Sequence, residues 1–247
     1  MARGNTLEQL IARFHNEVGD IEAPSYGVGA RASVIRLLQR VQETLWEEHD
    51  WPFLQIKKDV NIQAGSRRYD IPDGLAVDRI QKVQVKYGGI WGKVNFGIDE
   101  DREYKTFDSD VGDRNDPVRR WDYYYDTDNN TEQLEVWPIP ATNSDATTFN
   151  GYMRVTGIKT LSNLVAESDT ADLDGNLIVL FAAAEALARD RSDDAAAKLE
   201  AANRLHARLK SNTSSSESFS LGSMDMEEDE DCGRTRIRAV YGDTSGA

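Results

Sequence analysis

The chain has 247 residues, 39% apolar and 29% charged, enough to bury one good core or a core with a smaller satellite. Acidic residues outnumber basic ones 43 to 29, and the net charge of -14 argues against a surface that grips nucleic acid through clustered Lys and Arg. The longest apolar run, 177–181 with its following alanines, is broken by Glu185 and is too short to span a bilayer, so no membrane partner is expected.

Met1-Ala2-Arg3-Gly4-Asn5 has no apolar core behind it and reads as no export signal. Thr6-Leu7-Glu8-Gln9 has capping-box spacing, with Thr6 as N-cap. Leu7, Leu10, Ile11, Phe14 and Val18 then make one apolar stripe, and Gly19 stands where a helix-ending glycine belongs. Residues 20–29, with Pro24, Gly27 and Gly29, read as a loop.

The chain is organised around 34–85. Val34, Leu37, Leu38, Val41 and Leu45 fall at helical spacing, with Arg36, Gln39, Arg40, Gln42 and Glu43 on the opposite face. Asp50-Trp51-Pro52 ends that helix, because proline has no amide hydrogen and drives Trp51 toward extended geometry. Trp51, Pro52 and Phe53 therefore form a helix-to-β hinge. After Phe53 the apolar period changes to two, with turns at Gly65-Ser66, Asp73-Gly74 and Gly88-Gly89. Residues 99–116 are dense in Asp, Glu and Gly and read as a long loop; 118–125 are aromatic and strand-like, and 126–130 are a turn. Residues 134–137 and 148–156 alternate again. Seven or eight short strands predict an antiparallel sandwich or barrel.

Asp172 and Asp174 can cap a third helix with Leu177, Ile178, Leu180, Phe181, Ala184, Leu187 and Ala188 on its apolar face. Ser192-Asp193-Asp194 ends it and caps a fourth, whose face is Ala195, Leu199, Ala202, Leu205 and Leu209. The expected fold is α+β: a four-helix bundle with a large antiparallel β-sandwich or barrel inserted between helices two and three, and an extended C-terminal arm. In domains this reads as 1–53 plus 172–212 for the helical bundle, 54–156 for the β-insertion, 157–171 for a connecting loop and 213–247 for the tail. The tail passes from a serine-rich linker through an acidic run at 227–231 to Arg234, Arg236, Ile237, Arg238, Val240 and Tyr241. Arginines alternating with apolar residues suit an extended arm that docks on an acidic partner or augments its sheet, with the linker as tether.

No catalytic constellation is legible, and no cofactor or metal ligand set is expected. His15, His49 and His206 lie far apart with neither HExxH spacing nor a Cys–His pair. Cys232 is the single thiol, so there is no disulfide framework, and synthesis within the cell is expected. Asp99, Glu100, Asp101, Asp108, Asp110 and Asp113 lack the EF-hand pattern and suit a solvated loop; a metal-dependent hydrolase requires them to converge. Trp121, Tyr123 and Tyr125 share one strand face, with Tyr124 on the other. With Trp91 and Trp137 they suit core or subunit packing, or a receptor- or carbohydrate-binding platform if Trp121 and Tyr123 are exposed.

Three stretches in order resemble a known family. They are Asp50-Trp51-Pro52-Phe53-Leu54 followed by Gly65 and Tyr69-Asp70-Ile71-Pro72-Asp73, then Leu134-Glu135-Val136-Trp137-Pro138-Ile139-Pro140, then Leu173-Asp174-Gly175-Asn176-Leu177-Ile178 entering an alanine-rich helix pair. Together they resemble the head-to-tail connector (adaptor) proteins of tailed bacteriophages over most of 5–212. The resemblance implies a structural virion protein of the neck, made in the host cytoplasm. It implies a ring of identical copies, commonly a dodecamer, docked under the portal protein, with the tail or a stopper protein below. Such a ring extends the DNA channel and passes DNA without sequence-specific binding. It also implies that the arm runs onto the portal, and it gives the acidic excess a use, as lumen carboxylates that keep DNA from adhering.

Overall fold

The computed structural model describes residues 3–19 and 28–213. Helix α1 spans Leu7–Val18. Its capping box forms as the spacing predicts: the Gln9 amide donates to Thr6 Oγ1 at 3.3 Å, and the Thr6 amide donates to Gln9 Oε1 at 3.2 Å. Gly19 ends it in the left-handed region, φ 83°.

Helix α2 spans Val28–Glu48, and a short 3-10 turn at Pro52–Leu54 follows the proline stop. Leu37, Leu38, Val41 and Leu45 are buried. Gln39 and Gln42 depart from the outward placement their spacing predicts. Gln42 is buried, and its amide donates to the Ser162 carbonyl at 3.1 Å, while Gln39 donates to the Leu164 carbonyl at 2.6 Å. The loop that crosses this face brings carbonyls that need donors, and the glutamines supply them.

The strands are β1 Gln55–Asn61, β2 Arg68–Asp70, β3 Leu75–Tyr87, β4 Ile90–Phe96, β5 Arg120–Asp126, β6 Thr131–Trp137 and β7 Tyr152–Lys159. A short helix, α3 (Glu100–Glu103), interrupts the acidic stretch expected to be loop. The predicted sandwich or barrel is instead one curled seven-stranded sheet, in the order β1-β7-β3-β4-β5-β6-β2. The pairing is antiparallel except between β4 and β5, where Asn95 and Phe96 run parallel to Arg120 and Trp121. Curling explains why no second sheet is needed. One face wraps its own cluster of Ile62, Leu75, Val83, Val85, Trp121, Leu134, Val136, Met153 and Val155. The β3–β4 hairpin turns at Gly88 and Gly89, both at positive φ (57° and 82°), as a two-residue turn requires. Strand β7 runs through Lys159, into the stretch expected as connecting loop.

The chain returns in α4 (Gly175–Arg189) and α5 (Asp194–Thr213). Asp174 caps α4, accepting from the Asn176 and Leu177 amides at 3.0 and 3.3 Å. Asp172 does not cap; it holds the preceding loop, accepting from Lys159 Nζ at 2.6 Å and the Ser162 amide at 2.7 Å. Helix α4 packs against α1, α2 and α5, and its Ala182 and Ala183 are fully buried, which lets the helices approach closely. This second cluster unites Leu7, Leu10, Phe14, Leu38, Leu45, Leu177, Ile178 and Leu209 with Trp51, Leu54, Ile158 and Leu164.

Candidate docking surfaces

The joint between α2 and the sheet is built around Trp51, which is 1% exposed. Its indole N–H donates to the Leu45 carbonyl at 2.9 Å, satisfying a helix end that proline leaves open. The ring stacks with His49, Phe53 and His206 at centroid distances of 5.0, 5.5 and 5.8 Å. Pro52 opens the 3-10 turn, and the Arg3 guanidinium lies 3.6 Å over the Phe53 ring.

A second clamp on this joint was not legible in the sequence. Arg79 of β3 donates to the carbonyls of Trp46 and Glu47 at 2.5 and 2.7 Å, and lies 4.0 Å over the Trp46 ring. A cation on the last carbonyls of a helix satisfies them and opposes the helix dipole. Nothing in the local pattern Asp78-Arg79-Ile80 announces a capping role for a strand residue.

Beside the joint, His206 is buried between the rings of Trp51 and Phe181, with Nε2 unpaired among the described residues and 4.0 Å from Glu48 Oε2. Burial holds its pKa below the usual histidine value, as do Lys210 and His49, against the pull of Glu48. Burial also lowers His49, with Lys210 adding to the effect. The hydrogen bond from Lys210 holds the Glu48 carboxyl below its ordinary range.

Between α2, α4 and α5 lies a groove of about 480 Å³ lined by Val41, Leu45, Phe181, Ala184 and Leu199, with an Arg40–Glu185–Arg189 ion bridge beside it. Leu199, placed by its spacing on the packed face of its helix, is 46% exposed in this groove.

The aromatic strand divides as alternation predicts. Trp121 stacks edge-on with Phe96 and Tyr123 at 4.9 and 5.2 Å, and Arg68 lies 3.4 Å over Tyr124. Trp121 is only 4% exposed and belongs to the core of the sheet, so one of the two rings an open sugar platform requires is withdrawn. Trp137 is buried too, its indole donating to the Phe107 carbonyl at 2.8 Å.

The acidic stretch is tied down by the chain itself. Asp113 accepts from the Asp108 amide, Asp108 from the Asp110 amide, and Asp110 pairs with Arg67 at 2.8 Å. Arg67 also bonds Glu135 at 2.5 Å and the Tyr104 hydroxyl. Burial works against its charge, but the Asp110 and Glu135 bonds outweigh that and raise its pKa. Among the described residues, no three His, Cys, Asp or Glu side chains come together as a metal site. The arm residues Arg234, Arg236, Ile237, Arg238, Val240 and Tyr241, the acidic run at 227–231 and Cys232 lie outside the described residues, as do residues 20–27.

A family model described as "SU10 adaptor protein" matches residues 5–223, a span that contains all three stretches singled out in the sequence. No curated protein matches the chain.

Proposed function

The chain belongs to the SU10 adaptor protein family, a phage head-to-tail connector family with a structural rather than catalytic role in the virion, and from that premise we propose that it forms a ring docked beneath the portal. The observation that supports this most is the family match over 5–223, which takes in both helical segments and the whole sheet between them. On this reading the helical body, 1–53 with 172–212, builds the ring wall around the DNA channel. The β-part, 54–156, faces outward or toward the tail and offers the platform for the next component. A joint fixed by Trp51 and Arg79 suits a part that must hold a β-platform at a set angle to a helical wall. The arm at 234–241 clamps the portal through its arginines, and the net charge of -14 keeps passing DNA from adhering. A dodecameric ring is the expected stoichiometry.

The test mixes the full chain, and a chain truncated after Asn212, with the cognate portal ring, followed by sedimentation and negative-stain imaging. Added ring density with the full chain alone supports both the docking and the arm. Density with both chains moves the clamp to the helical body. Density with neither removes the portal from the reading.

A further inference from the structure

The sheet has a gap one strand wide. Strand β4 lies between β3 and β5, but its ladder with β3 covers only Val83–Tyr87, and its ladder with β5 only Arg120 and Trp121. Past Phe96 the chain turns out of the sheet: the Gly97 amide donates to the Trp121 carbonyl at 2.9 Å, and the Ile98 amide to Asp122 Oδ2 at 3.2 Å. Residues 75–82 of β3 and 123–126 of β5 are thus left without a strand partner on their facing sides. Two strands flanking one missing neighbour lie about 10 Å apart, twice the ordinary strand spacing. A cleft of about 560 Å³ occupies this position, lined by Leu75, Ala76, Val77 and Asp78 on one side and by Tyr123, Tyr124 and Tyr125 on the other. The Tyr123 amide donates to Asp122 Oδ1 at 2.8 Å; strand edges otherwise without a ladder partner accept an added strand through main-chain hydrogen bonds.

The walls say what kind of strand fits. Asp78 and Glu132 line the cleft with Tyr123, so negative charge is concentrated there; burial, with these charges and Asp122 adding to it, pushes the Tyr123 hydroxyl pKa up. Asp78 and Glu132 make no ion pair among the described residues. Tyr123 and Tyr125 are 40% and 51% exposed and offer ring faces to a cation, while Leu75, Ala76 and Val77 offer an apolar wall. A strand presents its side chains alternately to the two faces of its sheet, so basic residues at every second position all reach the face that carries Tyr123, Tyr125 and Glu132, with the small apolar residues between them on the other face.

We propose that this notch receives an extended segment of a second virion protein, with basic side chains at alternate positions, which continues the line of β4 and completes the sheet. That the donor is a virion protein rests on the adaptor reading; the strand chemistry rests on the notch alone.

The probes are short end-blocked peptides alternating Arg and Val, with a Glu–Val version and a version N-methylated at alternate amides as controls. They are added to the full chain and followed by fluorescence titration and by hydrogen exchange. The Arg–Val peptide is expected to bind in a salt-sensitive way and to slow exchange at 75–82 and 123–126. The double variant Asp78→Asn/Glu132→Gln, isosteric and on the surface, is expected to weaken it about tenfold with an unchanged far-UV spectrum. Equal binding of either control peptide, protection elsewhere, or no binding by the Arg–Val peptide overturns the proposal. Protection of the same strands by self-association before any peptide is added assigns the notch to a second copy and overturns it as well. No portal enters this assay, so its outcome is separate from the outcome of the docking test.

Discussion

Replacing Trp51 with alanine removes the ring on which the joint between helices and sheet is built. The side chain is fully buried and touches His49, Phe53 and His206, so truncation leaves a large cavity costing about 3–5 kcal/mol. It also strips the Leu45 carbonyl of its indole donor, which adds about 1 kcal/mol. With a urea slope of about 2.5 kcal/mol per molar, the unfolding midpoint is expected to fall by about 2 M, read by far-UV circular dichroism. Trp51→Phe keeps most of the packing and loses the donor, so its midpoint falls between the two. Trp91→Ala, on a half-exposed ring lying against Arg154, is the control and is expected to cost under about 1 kcal/mol. A Trp51→Ala midpoint within about 0.4 M of the parent refutes the reasoning, because the ring would then not be holding the joint.

Other expectations follow from the same structure. Arg79→Ala frees the Trp46 and Glu47 carbonyls and is expected to cost about 2 kcal/mol; Arg79→Lys, with its single ammonium, is expected to restore only part of that in the same urea titration. Gly157→Ala drives a Cβ to 2.6 Å from the Arg79 carbonyl oxygen, a backbone atom at the irregular stretch of β3, so a loss of about 2 kcal/mol or insoluble expression is expected. Burial lowers the folded-state pKa of His206 and His49, so the unfolded chain binds protons first. Stability is therefore full above the unfolded value of 6.5, falls as pH drops through it, and levels off below the folded values. His206→Phe, which fits a site between two rings and removes the unpaired Nε2, is expected to flatten that fall when melting temperatures are compared at about pH 7.5 and about pH 5.5. A fall as steep as the parent's would show that the slope comes from other groups.

Local chemistry was the most legible part of the sequence. The Thr6 capping box, the Gly19 helix end, the proline stop at Pro52, the Gly88-Gly89 hairpin and the Asp174 cap each rest on a few neighbouring residues, and each forms as the spacing predicts. The order of three such stretches also pointed to the connector family that the chain matches. What depends on distant partners was not legible. Alternation in 118–137 predicts strands but not that β5 runs parallel to β4, because residues 97–119 separate them and carry no period. The polar face of α2 hides two glutamines whose role appears only when the loop after β7 crosses them. Arg79 reads as an ordinary strand cation until the fold carries it to the end of α2.

Gold labelling of a tagged copy of the chain in intact particles of the phage that encodes it tests the connector role most directly. Label concentrated between head and tail, in averaged images with a closed ring of density there, is the predicted result. Label at the tail tip or fibres, or its absence from purified particles, would contradict it.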